Sequence, residues 1–229
     1  MKVIPYASAI GSIMYAMLCT RTDVCLAISI VGRYQSYRGL EHWTALKNIL
    51  KYLKRTKDMF LVYGGEKELV VNGYVDASFD TDPDDYKSQT GYVFLLNGGA
   101  VSWCISKESV VAGFTCEAQY IAASEAANEG VWMKEFISDL GIIPSASGPM
   151  KIFCDNTGAI ALAKESIFHK RTKHIKRRFN SIHHPVSEGD IEISKIHTDL
   201  NVADPLTMPL PRAKHDQHQS SMGVRIITM

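Results

Sequence analysis

In Val70-Val71-Asn72-Gly73-Tyr74-Val75-Asp76-Ala77-Ser78, β-branched and aromatic residues run up to a carboxylate. Such a run forms a strand, and Asp76 falls where the strand ends. Other carboxylates stand at the start or end of regular elements in the same way. Glu117 opens the helical stretch Glu117-Ala118-Gln119-Tyr120-Ile121-Ala122-Ala123, Asp155 ends the strand Lys151-Ile152-Phe153-Cys154, and Asp204 follows Asn201-Val202-Ala203. Residues this far apart in sequence meet only through a fold. Converging carboxylates repel one another unless cations lie between them, and hard oxygen ligands suit Mg²⁺ or Mn²⁺. Two such ions about 4 Å apart would clamp the attacking and leaving oxygens of a phosphodiester. The pattern points to a two-metal nuclease.

On the C-terminal side of Asp76, Asp80-Thr81-Asp82-Pro83-Asp84-Asp85 has turn composition. It lacks the glycine and terminal glutamate of an EF-hand loop, so a solvated turn is expected. Thr90 to Leu96 reads as a strand, Asn97-Gly98-Gly99 as a hairpin turn and Ala100 to Ile105 as the returning strand. A helix from Glu117 to about Leu140 stops at Gly141. A strand to Cys154, a helix over Gly158 to Lys164, a basic helical segment from His169 to Phe179, a strand over Ile191 to Ile196 and a short helix from Asp204 follow. This order predicts an α/β fold: a mixed sheet of an antiparallel three-strand meander plus parallel strands, flanked by helices. On the N-terminal side, apolar residues recur at helical spacing from residue 6 to about 57, with Lys47, Lys51, Lys54 and Arg55 on the wetter side of the last helix. The tail from Pro209 is rich in Pro, Gln and Ser and is expected to be loose.

The bulk numbers allow this reading and narrow the partners. With 46% hydrophobic residues in a 229-residue chain, the protein is globular. A formal charge of +1 gives no global nucleic-acid signature, so any basic footprint is local. The cysteine count of 5 is odd and no Cys-x-x-Cys pair exists, which argues against a disulfide framework or zinc knuckle. No secretory signal is visible, nor any run of about 18 apolar residues. An intracellular location is expected: cytoplasm, virus-like particle or nucleus.

Several strings together resemble the Pol polyprotein of copia-type (Ty1/copia) retrotransposons, especially those of plants. They are Gly73-Tyr74-Val75-Asp76-Ala77-Ser78, Lys87-Ser88-Gln89-Thr90-Gly91-Tyr92-Val93-Phe94, Cys154-Asp155-Asn156-Thr157, His169-Lys170-Arg171-Thr172-Lys173-His174-Ile175 and Ala203-Asp204-Pro205-Leu206-Thr207, joined by Tyr6-Ala7-Ser8-Ala9-Ile10-Gly11-Ser12. The resemblance implies an RNase H-like domain over residues 66–208. It also implies a helical remnant of a reverse transcriptase thumb or connection over 1–65, leaving 209–229 as the loose tail. It implies cleavage of the RNA strand of RNA/DNA hybrids, with Asp76, Glu117, Asp155 and Asp204 holding two Mg²⁺ or Mn²⁺. The polymerase palm is not in this sequence, so a reverse transcriptase polymerase domain is an implied partner, and a membrane is not.

Each candidate has a plainer reading. Asp76 could be a strand-end turn aspartate, Asp155 a helix N-cap and Asp204 a partner of a helix dipole. Asn156 and Thr157 can cap in place of Asp155, which frees it for metal. The helix ligand is open between two residues. Copia-type chains read Glu-Ala-Glu-Tyr where this one reads Glu117-Ala118-Gln119-Tyr120, and residues two apart on a helix point about 200° apart. Glu117 is the only carboxylate available. If instead Gln119 holds the ligand position, the site is crippled. His197 is a candidate proton shuttle or an ordinary loop histidine. Lys170, Arg171, Lys173, Lys176 and Arg177 lie in a segment with few acids, suited to sequence-independent phosphate contact. Gln119, Met208 and His183-His184-Pro185 depart from the family pattern, and a proline there is expected to end its helix. These departures favour an alternative, a defective or co-opted retrotransposon remnant that binds nucleic acid without cutting it.

Overall fold

The computed structural model describes residues 5–64, 69–82, 85–109, 111–141, 148–164 and 176–227, and the side chains of all of these but 176–181. Strands β2 (Val71–Ser78), β3 (Gln89–Leu96), β4 (Gly99–Lys107), β5 (Met150–Cys154) and β6 (Ile191–Lys195) form a five-stranded sheet in the order β4-β3-β2-β5-β6. The β2–β3 and β3–β4 pairs are antiparallel, and β2–β5 and β5–β6 are parallel. This is the expected RNase H-like mixed sheet. The meander turns at Asn97 and Gly98, both at positive φ (52° and 75°), as a tight hairpin requires.

Helices α4 (Thr115–Leu140), α5 (Thr157–Lys164) and α6 (Lys176–Ser187) cover one face of the sheet. Small residues bring α4 close: Ala118, Ala122, Ala123, Ala126 and Ala127 are all buried against the sheet. Gly141 ends α4 in the left-handed conformation (φ 64°). Pro185 does not end α6, which runs on to Ser187. A proline so near the end leaves few turns to disturb.

The second face is covered by segments expected to stand apart from the sheet. Helices α1 (Tyr6–Cys19), α2 (Cys25–Gly32) and α3 (Leu40–Arg55) bury Tyr6, Ile10, Ile13, Ile28, Leu46 and Ile49 in a core that also holds Val93, Ala100 and Leu206. The tail is ordered as well. After α7 (Asp204–Thr207), helix α8 (Arg212–Ser221) and strand β7 (Val224–Ile226) bring Met222 and Val224 to complete burial. Strand β7 pairs antiparallel with β1 (Met59–Leu61). Gly223 (φ 85°) passes so close to the hairpin that a Cβ there would lie 2.7 Å from Gly99 Cα, and Ala100 N donates to Met222 O at 2.9 Å.

A buried polar cluster joins these outer elements. Arg21 donates twice to Asp23, at 2.9 and 2.7 Å, and also to Thr56 Oγ1 at 2.6 Å. Tyr52 OH donates to Asp23 Oδ2 at 2.6 Å, and Gln219 Nε2 reaches the same oxygen at 2.7 Å. One carboxylate thereby ties the segment after α1, the last turn of α3 and α8 together. Buried charges persist where every atom is answered in this way.

Candidate active site

Asp76 stands two residues before β2 closes at Ser78, and its side chain is buried. The strand opposite provides Gly91 as its register partner. A Cβ on Gly91 would lie 2.8 Å from Leu206 Cβ and 3.1 Å from Thr207 Cγ2. The missing side chain is what lets α7 lie against the strands. Two further contacts fix α7 there: Ser78 Oγ donates to Thr207 O at 2.8 Å, and Asn201 Nδ2 to Val75 O at 3.0 Å. Asp204 therefore opens its short helix beside Asp76, buried as well. Asp155 follows β5, the parallel neighbour of β2, and its Oδ2 accepts from Thr198 Oγ1 at 2.8 Å.

These carboxylates act on one another electrostatically. Burial raises the Asp76 carboxyl, hydrogen bonds from Thr207 and Gln119 oppose the rise, and the charge of Asp155 adds to it. Asp204 is pushed up to about 8, first by burial and then by the charges of Asp76 and Asp155. Its Oδ1 has no hydrogen-bond partner among the described residues.

The helix position is occupied by Gln119. Its Nε2 donates to Asp76 Oδ1 at 2.8 Å and to Ala77 O at 3.2 Å. Glu117 turns away, as the 200° offset requires of one of the two. Its Oε2 accepts from Gly113 N at 2.8 Å, at the start of α4. The expectation that Glu117 supplies the helix carboxylate is corrected: the side chain facing Asp76 is an amide. Thr207 Oγ1 donates to the other oxygen of Asp76. Both oxygens of that carboxylate are thus engaged by protein donors.

Thr207, Asn201 and Thr198 organise the site without having been singled out by the sequence. Thr207 stands in the family string Ala203 to Thr207, the one available signal. His197 lies at the surface, where Nδ1 accepts from Asp199 N at 3.2 Å and caps the 3₁₀ turn Thr198–Leu200. In the acidic run after β2, Asp82 meets Arg33 and Lys107, and Asp85 meets Lys107 and Lys87. Of the basic candidates, Lys170, Arg171 and Lys173 lie outside the described residues. Lys176 and Arg177 belong to the first turn of α6, where only the backbone is described.

A divalent ion matches these donors in part. Asp76, Asp155 and Asp204 are hard, charged oxygen ligands, and the unpartnered buried Asp204 Oδ1 is an acceptor without a donor. Among the described residues, no three His, Cys, Asp or Glu side chains already surround one point. An ion at the Gln119 position does not fit, because the amide presents NH₂ there and carries no charge.

No protein-family model matches the chain. Curated relatives do. The chain is 42% identical over 224 residues to the Retrovirus-related Pol polyprotein from transposon TNT 1-94 of Nicotiana tabacum, which covers 98% of this chain and 17% of that protein. It is 32% identical over 219 residues to the corresponding polyprotein of transposon RE2 from Arabidopsis thaliana, covering 96% and 15%. A 135-residue stretch, 58% of this chain, is 42% identical to 94% of a Plasmopara viticola protein named secreted RxLR effector protein 161. The chain spans about a sixth of the length of the polyprotein relatives, 17% and 15%. Among solved structures, the N-terminal RNase H domain of a Mycobacterium tuberculosis protein is similar over 67% of this chain and 99% of that one, at 12% identity and a TM-score of 0.44. No helix among the described residues is long and apolar enough to cross a membrane. With identity to transposon polyproteins running over nearly its whole length, on a five-stranded mixed sheet of RNase H type, the chain belongs to the Pol polyprotein family of copia-type retrotransposons.

Proposed function

We propose that this segment is the RNase H-type module of such a polyprotein, hydrolysing the RNA strand of RNA/DNA hybrids at Asp76, Asp155 and Asp204. The reading is supported by the placement of Asp76 and Asp155 at the ends of the neighbouring strands β2 and β5 and of Asp204 on α7 against β2, near enough for the charges of Asp76 and Asp155 to raise Asp204. A bound Mg²⁺ or Mn²⁺ would supply an activated water and stabilise charge on the phosphate. The chain's own part is positional. Asp76, from the central strand, and Asp155, from its parallel neighbour, offer oxygens from two directions. Ser78 and Asn201 pin α7 so that Asp204 offers a third. Thr198 orients Asp155 through its hydroxyl. An A-form strand is distinguished by its 2′-hydroxyls, which selects RNA for cutting.

Gln119 favours a second reading, binding without cutting. Its amide replaces a charge that would offset a cation, and it occupies an oxygen of Asp76. One assay separates the two: a labelled RNA/DNA hybrid incubated with the purified chain in Mg²⁺ and in Mn²⁺, beside Asp155→Asn. The first reading expects weak metal-dependent cleavage that Asp155→Asn abolishes while the fold survives. Cleavage at an equal rate in the variant would point to a contaminant. Binding with no cleavage in either protein selects the second reading.

A further inference from the structure

Helix α3 presents a row of cations that no carboxylate answers. Lys47, Lys51 and Lys54 recur at i, i+4 and i+7, with Arg55 beside them and Lys57 just past the helix end, and all are exposed. At about 100° per residue, the four helical positions fall within an arc of roughly 100° and a length of about 12 Å. Residues 40–58 hold these five cations against two acids, Glu41 and Asp58, in a chain whose formal total is only +1. Several basic side chains elsewhere are paired: Arg21 with Asp23, Arg33 with Asp82, Lys107 with Asp82 and Asp85, Lys134 with Asp190. Among the described residues, none of the α3 cations forms an ion pair. A merely solvated helix face carries interspersed signs, and this one carries a single sign.

The row is rigid and oriented. Leu46 and Ile49 seal the opposite side of α3 into the core, so the helix has no apolar face left to insert into a lipid surface, as an interfacial helix must. Its N-terminal end is fixed by His42 stacking on Tyr34, with ring centroids 4.1 Å apart. The adjacent Arg33 reaches Asp82 and Gln89, and Gln89 pairs with Ser78, at the same end of β2 as Asp76. The far end is held by Arg21 through Thr56. The 16 residues of α3 span about 24 Å.

We propose that the outer face of α3 binds the phosphate backbone of a nucleic-acid duplex, independently of sequence. A duplex backbone is the polyanion whose charges repeat along a line as these cations do. The inference rests on the nucleic-acid reading of the chain, not on whether the site cuts. The test is a fluorescence-anisotropy titration of a labelled RNA/DNA hybrid with the full chain, in EDTA, over a range of KCl concentrations. The triple variant K47Q/K51Q/K54Q is compared with wild type and with Lys134→Gln, whose lysine is already paired. Each phosphate contact contributes about 0.9 to the slope of log K against log salt, so the triple variant should be shallower by about 2.7. Lys134→Gln should leave the slope unchanged. An unchanged slope in a folded triple variant overturns the proposal. So does binding to phosphatidylserine vesicles that depends on the three lysines while hybrid binding does not.

Discussion

Gln119 differs from glutamate by an NH₂ in place of an oxygen, and here that NH₂ has two acceptors. Asp76 Oδ1 and the carbonyl of Ala77 both receive its protons. Turning the amide over would set its oxygen against a carbonyl and a carboxylate, so the NH₂ faces Asp76, and the amide brings no charge to offset a cation there. Gln119→Glu places a carboxylate in that spot, where a divalent ion relieves the repulsion. The variant's melting temperature should then rise by roughly 5–10 °C in saturating Mn²⁺, if binding contributes about 2.7 kcal/mol at a hundredfold excess over Kd. Wild type should rise by less, and hybrid cleavage should increase in the variant. Equal metal shifts in the two proteins, measured by thermal melts, would remove Gln119 from this role. At this scale the places of Asp76, Asp155 and Asp204 near element ends were legible, because the strand and helix patterns break there. The choice between Glu117 and Gln119 was not. Ala118 through Ser124 are all buried, so no polar side of the helix marks which way either residue points.

Strand β7 and helix α8 illustrate what composition hides in an element. The stretch from Pro209 reads as loose because its helix is built from Arg, Lys, His, Gln and Ser. Its buried residues are His218 and Gln219, which enter the interior as polar groups, followed by Met222 and Val224. The Gln219 contact with Asp23 needs a partner far away in sequence, and no local pattern announces it. Ending the chain after Met208 removes Met222 and Val224 from the core, at about 1.5–3 kcal/mol each. At roughly 2–4 °C per kcal/mol for a domain of this size, the truncated protein should melt on the order of 10 °C lower. A melting temperature within about 2 °C of the full chain would mean that α8 and β7 do not contribute as their burial implies. The meander, by contrast, was legible. Asn97-Gly98 supplies both positive-φ positions of its turn, and that tight turn sets the register.

At the scale of the whole molecule, both faces of the sheet are closed, and the second face is closed by the two chain ends together. Helices α1 to α3 were legible as amphipathic elements, but their partner was not, because periodicity gives a buried face without saying what buries it. Their cores merge at Val93, Ala100 and Leu206, so unfolding should be one cooperative event. Urea transitions followed by tryptophan fluorescence, with Trp43 on α3, Trp103 on β4 and Trp132 on α4, should coincide with those followed by far-UV circular dichroism. Two separate transitions would divide the chain into the two units its sequence suggested. Asp23→Ala tests the same unity through the polar cluster. It leaves the Arg21 charge buried without its partner, at a cost of about 3–5 kcal/mol, readable as a lower urea midpoint. The closure also sets an order on synthesis. Tyr6 to Leu61 leave the ribosome well before their partners, since β1 pairs with β7 and Asp23 meets Gln219 across a separation of 196 residues. Until those partners follow, the first helices have an apolar face uncovered, dependent on chaperones or on the partly built sheet.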